Sequence, residues 1–114
     1  MERNKTNTKE IFKHLRVVDA FRNIDQDMPI GQVAFFLHAS REEGSSLRDV
    51  AQMANCKMAT ASRYLSTLSV RGRKTDDGLN LLYYEENPID RRQKLIYLSD
   101  KGKKLLETLS MKGV

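Results

Sequence analysis

The sequence predicts a mainly α-helical chain with a small β-hairpin. Three observations carry that reading. Apolar residues recur at helical spacing in five separate stretches. Only one region, about residues 81–98, alternates and turns as a hairpin does. The helix stretches are punctuated by start and stop signals, among them Pro29, Gly44 and the polar turn Asn55-Cys56-Lys57.

The first helix is expected over about 8–25. Ile11, Leu15, Val18 and Phe21 or Arg22 follow its period, Phe12 and Val17 widen the apolar face, and Thr8 is the expected N-cap. Met28-Pro29 breaks the chain and opens a second helix over about 29–43, because proline is tolerated in a first turn. Val33, Ala34, Phe36 and Leu37 make that helix apolar nearly all round, so burial is expected, and Gly44 should stop it. Ser46-Leu47-Arg48-Asp49 puts a carboxylate three residues after a hydroxyl, a variant of the capping box, and starts a third helix over about 46–54 with Leu47, Val50, Ala51 and Ala54 inward.

A tight turn separates it from a fourth helix over about 58–70. Ala61, Leu65 and Leu68 form its inner face with Tyr64 beside them, and Thr60, Ser62, Arg63, Ser66 and Thr67 its outer face. Arg71 to Gly78 is loop chemistry, basic and then acidic. Leu81–Glu85 and Gln93–Leu98 read as the strands of the hairpin, with a turn at Asn87-Pro88-Ile89-Asp90 and a basic tip at Arg91-Arg92. Ser99 caps a last helix over about 99–111 that carries Leu105, Leu106 and Leu109. The order is that of a winged helix-turn-helix, and 114 residues suffice for one such domain, 1–114.

The bulk numbers exclude several classes of function. No apolar run reaches the ~18 residues of a membrane span, and the N-terminus MERNKTNTKE has no apolar signal-like run. A soluble, cytoplasmic protein is expected. The single cysteine, Cys56, cannot close an internal disulfide, and His14 and His38 lie far apart, so neither metal nor cofactor is expected. There is no phosphate-cradling glycine motif and no paired acid–base constellation, which argues against an enzyme.

Charge points to a polyanionic partner. The formal net charge is +5. Between Asp49 and Asp76 there is no carboxylate, whereas Lys57, Arg63, Arg71, Arg73 and Lys74 fall inside that gap. A helix that enters the ~12 Å major groove of DNA needs a small, polar outer face. Ala59, Thr60, Ser62, Ser66 and Thr67 supply one, and Arg63 adds the bidentate side chain best suited to a guanine edge. A helix shaped only by stability would more often show Glu–Lys pairs there. Arg91 and Arg92 sit where two strands reverse, and a basic tip of that kind suits a narrow minor groove, with Asp90 placed to orient one arginine.

Two stretches resemble the MarR family of winged-helix regulators. Ser46 to Arg63 is similar, without gaps, to the family's hydroxyl-capped third helix, its turn and a recognition helix with a Thr-apolar-Ser-Arg signature; Cys56 stands where the family usually has valine, which reads as a small buried residue. Asp90 to Leu106 resembles the family's wing, with an Asp-x-Arg tip, an apolar strand and a Ser/Thr-x-x-Gly helix opening. Met28 to Val33 looks like its second-helix start.

The resemblance implies a homodimeric regulator, read here as a repressor, on a pseudo-palindromic double-stranded operator. Lys57, Ala59, Thr60, Ser62, Arg63 and Thr67 match the family's recognition-helix surface, and Arg92 its wing-tip arginine. In two places the sequence departs from the family. About eight extra residues, Arg73 to Asn80, follow Gly72, so either the recognition helix runs on to a stop at Gly78 or an extra loop precedes the wing. The last helix is short for the family, so dimerisation leans on the first helix or takes another route, and a small-molecule effector stays open. A winged-helix module that binds protein, as adaptor or inhibitor, is the competing reading; it would expose apolar anchors on the fourth helix, where only Met58 qualifies.

Overall fold

In the computed structural model, residues 7–69 and 78–110 are described. The elements run α1 (Thr8–Ile24), α2 (Ile30–Arg41), α3 (Leu47–Met53), α4 (Met58–Leu68), β1 (Leu82–Glu86), β2 (Lys94–Leu98) and α5 (Asp100–Ser110). The element order is the expected one, mainly helical with one antiparallel hairpin, and the fold is a winged helix-turn-helix.

The helix starts follow local chemistry. Asn7, not Thr8, is the N-cap of α1: its side-chain oxygen accepts the Glu10 amide at 3.2 Å. Pro29 precedes the first residue of α2. Ser46 caps α3 as its spacing predicts, its hydroxyl accepting the Asp49 amide at 3.1 Å. Ser99 does the same for α5, accepting the Gly102 amide at 3.0 Å. Gly44 takes φ +88°, a left-handed conformation that favours glycine, and donates its amide to Ile96 at 2.8 Å. That turn lets residues 44–46 run beside β2, where Ile96 donates to the Ser45 carbonyl and Ser46 forms a bridge with Leu95. The wing is thereby fastened to the start of α3.

Phe21, Phe35, Phe36, Val50, Leu65, Leu68, Leu81, Leu82 and Ile96 form the core. Phe21 meets Phe36 edge-on with ring centroids 5.7 Å apart, which ties α1 to α2. Burial divides α1 and α2 differently from the sequence expectation. Phe21 is buried and Val17 and Ile24 pack beside it, whereas Ile11, Phe12, Leu15 and Val18 are exposed. α2 buries Phe35, Phe36 and Ala39 but leaves Ile30 and Leu37 exposed, so it is not buried all round.

The fourth helix is two residues shorter than expected. It ends at Leu68, and Ser69 is extended (φ −86°, ψ 175°), so the recognition helix does not run on to Gly78. The chain from 79 to 81 returns alongside the helix end: Leu79, Asn80 and Leu81 donate their amides to the carbonyls of Thr67, Ser69 and Leu68. The strands begin one residue later than expected, with Leu82 opposite Leu98, Tyr84 opposite Ile96 and Glu86 opposite Lys94.

Candidate nucleic-acid interface

The helix-turn-helix is built on α3 and α4. Asn55 makes the turn in a left-handed conformation (φ 55°), which asparagine tolerates. The Cys56 amide bonds back to Ala51, and burial pushes the half-buried Cys56 thiol above its usual range. Ala61, Leu65 and Leu68 are buried, so α4 is held by one side. Its opposite side carries Ala59, Ser62 and Arg63, all exposed, with Thr60, Ser66 and Thr67 half-buried along its margins.

No acidic residue lies in the first turn of α4, and the N-cap Lys57 makes no side-chain cap bond. The leading amides therefore remain donors beside a lysine, an arrangement suited to an anion. Thr67 is placed differently from the rest. Its carbonyl accepts the Leu79 amide, so it lies where the chain returns from the helix end.

The wing tip is organised by two side chains. The Asn87 carboxamide oxygen accepts the Ile89 amide at 2.9 Å, and its nitrogen donates to the Gln93 side chain at 3.0 Å. Asp90 accepts the backbone amide of Arg92 at 3.2 Å and its Nε at 3.1 Å. These are Asx turns in tandem. The Arg92 side chain stays 90% exposed while its base is held. Arg91 is exposed beside it. The expected role of Asp90 in orienting an arginine is thus met by Arg92.

The wing and the start of α3 share a cleft of about 430 Å³, which α4 reaches only through its first residue. Arg48 and Leu47 from α3, Met58 from α4 and Asp90, Arg92, Gln93 and Lys94 from the wing line it. Arg48 and Lys94 were not singled out in the sequence. Arg48 sits inside the capping motif, whose spacing explains it without any ligand, and Lys94 reads as a strand residue. Lys94 lies over the Tyr84 ring, 5.4 Å from its centroid. Arg71, Arg73 and Lys74 lie outside the described residues.

Among the described residues no cluster of three His, Cys, Asp or Glu could hold a metal ion, and no helix is long and apolar enough to cross a membrane.

No protein-family model matches the sequence, and no curated protein matches it. Solved structures do match. MarR aligns with a TM-score of 0.62 at 20% identity, over 87% of this chain and 66% of that one. The PcaV transcriptional regulator of Streptomyces coelicolor, solved with its natural ligand, aligns at 0.61 with 21% identity, over 96% and 75%. BpsR of Bordetella bronchiseptica, whose DNA binding is regulated by 6-hydroxynicotinic acid, aligns at 0.57 with 25% identity, over 87% and 70%. The chain spans about two thirds to three quarters of the length of these proteins. What they share with it is the fold, and the chain has the winged-helix fold of the MarR-type regulators.

Proposed function

We infer that this chain binds double-stranded DNA in a sequence-specific way as a transcriptional regulator, and that it acts as a repressor. The observation that carries the reading is an exposed, acid-free outer face on α4 together with a basic wing tip whose Arg92 is held by Asp90. Ala59, Ser62 and Arg63 present the small exposed face that a major groove admits. Lys57, Thr60 and Thr67 flank it, within reach of phosphates. Arg91 and Arg92 enter the neighbouring minor groove. Arg71, Arg73 and Lys74 add positive charge in the same part of the sequence. The likeness to PcaV and to BpsR, a regulator and a DNA-binding protein, supports the reading.

The regulator works as a homodimer. Ile11, Leu15, Val18 and Arg22 follow one another at intervals of four, three and four along α1, the spacing of a coiled-coil seam. Ile11, Leu15 and Val18 are exposed, and none of them is among the residues that pack on the core. A second copy laid on that seam covers it and places two recognition helices on successive half-sites. No effector is assigned.

A gel-shift titration with a random-sequence duplex pool at two salt concentrations tests the DNA reading. Binding at low salt that weakens steeply as salt rises is expected. No binding at low salt, or binding indifferent to salt, would exclude it.

A further inference from the structure

The wing tip carries a side chain that the reading above leaves without a role. Ile89 is 95% exposed, the most exposed large hydrophobic residue among those described. A single exposed apolar side chain usually means nothing. This one differs in its place and in its support. It stands at the far end of the hairpin, next to Pro88 and within three residues of Asp90, Arg91 and Arg92. Hairpin chemistry explains Asn87, Pro88 and Asp90, which set the turn. It does not explain an isoleucine at position 89, where a polar residue would serve the turn equally well.

The tip is also braced. The Ile89 amide is held by the Asn87 side chain at 2.9 Å, Asn87 donates both to the Gln93 side chain and to the Gln93 carbonyl, and Gln93 donates to the Asp90 carbonyl at 2.9 Å. These bonds fix the backbone on which Ile89 stands, so part of the ordering that binding would otherwise cost is already in place.

We propose that Ile89 is a minor-groove wedge: its side chain inserts at a base step beside the recognition helix, partly unstacks it and bends the duplex. The proposal rests on the DNA-binding reading and adds to it a specificity-determining residue. Proteins that bend DNA from the minor groove use isoleucine, leucine, methionine, phenylalanine or proline in this way. The flanking Arg91 and Arg92 supply the cations that a narrow groove attracts. Unstacking costs least at pyrimidine–purine steps such as TA and CA. Sites bound by the protein should therefore carry such a step where the wing lands, although no hydrogen bond reads it.

The test begins with duplexes selected from a random pool by the full chain. The selected site is then made with 2-aminopurine at the wing step, and bending is followed by circular-permutation gel shift. The unaltered protein should raise the 2-aminopurine fluorescence and bend the site. Ile89→Ser should lose both signals and bind roughly 10-fold more weakly, the loss of one buried aliphatic side chain, with an unchanged melting midpoint. Ile89→Met should retain both. If Ile89→Ser unstacks and bends the site as the unaltered protein does, or if the unaltered protein binds without unstacking, the wedge is wrong while DNA binding stands. If the chain selects no duplex at all, the DNA-binding reading fails and the wedge with it.

Discussion

Gly102 in α5 lies against the backbone of Leu81, so close that a methyl group at position 102 would fall on the Leu81 carbonyl oxygen. That same carbonyl accepts the Ser99 amide at 3.1 Å, and the Ser99 hydroxyl donates to the Asn80 carbonyl at 2.6 Å. Residues 79–81 also bond to the end of α4. A three-residue strap thus joins the recognition helix to the first turn of α5. Gly102→Ala must push the helix off the strap, because the clashing group is backbone and not the tip of a flexible side chain. Overpacking of this kind costs about 1–3 kcal/mol. Urea unfolding should show a lower midpoint with an unchanged slope.

Ser46 has two structural tasks, capping α3 and bridging to Leu95 in the wing. Removing the cap oxygen leaves the Asp49 amide without its side-chain acceptor. Ser46→Ala should cost about 1 kcal/mol of stability, read from the denaturation midpoint. Ser46→Thr should recover most of it, since threonine also caps.

These local devices were legible because their partners sit three residues apart or fewer. Ser46 with Asp49 and Ser99 with Gly102 are short-range pairs that spacing alone identifies, whereas for Asp90 spacing points to one of two neighbouring arginines and the structure selects Arg92. The inner face of α1 was not legible. Ile11-Leu15-Val18 and Val17-Phe21-Ile24 both follow helical spacing, and only the position of Phe36 decides that Phe21 goes inward. The end of α4 was illegible for a similar reason. Its stop is fixed by the returning strap from residues 79–81, about ten residues further on, and not by Gly72 or Gly78. Arg48 and Lys94 meet in one cleft because the wing is fastened to residues 44–46, a long-range contact that no local motif encodes.

Arg63 is exposed at the middle of the outward face of α4. As a base-reading side chain it should contribute about 1–3 kcal/mol of discrimination. Arg63→Ala should therefore weaken binding to a selected site more than binding to random duplex. Equal losses on both, in parallel titrations at one salt concentration, would reduce Arg63 to a phosphate contact.

Asp90 offers a sign test at the wing. On charge alone, removing a carboxylate should strengthen binding to DNA. If Asp90 holds Arg92 in its working geometry, Asp90→Ala should weaken binding instead, by roughly the same factor as Arg92→Ala. Neither change should move the melting midpoint much, because an exposed ion pair contributes only about 0–1 kcal/mol. Arg92→Ala should also lower the slope of log affinity against log salt by about one. Stronger binding by the Asp90 variant would remove the positioning role.

The seam on α1 makes the dimer testable without DNA. Leu15 and Val18 are exposed and are not among the residues packed on the core, so charged replacements there leave the core in place. Leu15→Glu together with Val18→Glu should place like charges opposite each other in the paired helices and shift sedimentation from dimer to monomer. The fold should survive, with far-ultraviolet circular dichroism unchanged. DNA affinity should fall steeply, because one bound half-site no longer holds the second recognition helix near its own. A monomer that retained full affinity for a two-half-site duplex would mean that the helices act singly. A variant that stayed dimeric would place the interface elsewhere, and the half-buried Leu105, Leu106 and Leu109 of α5 would be the next residues to change.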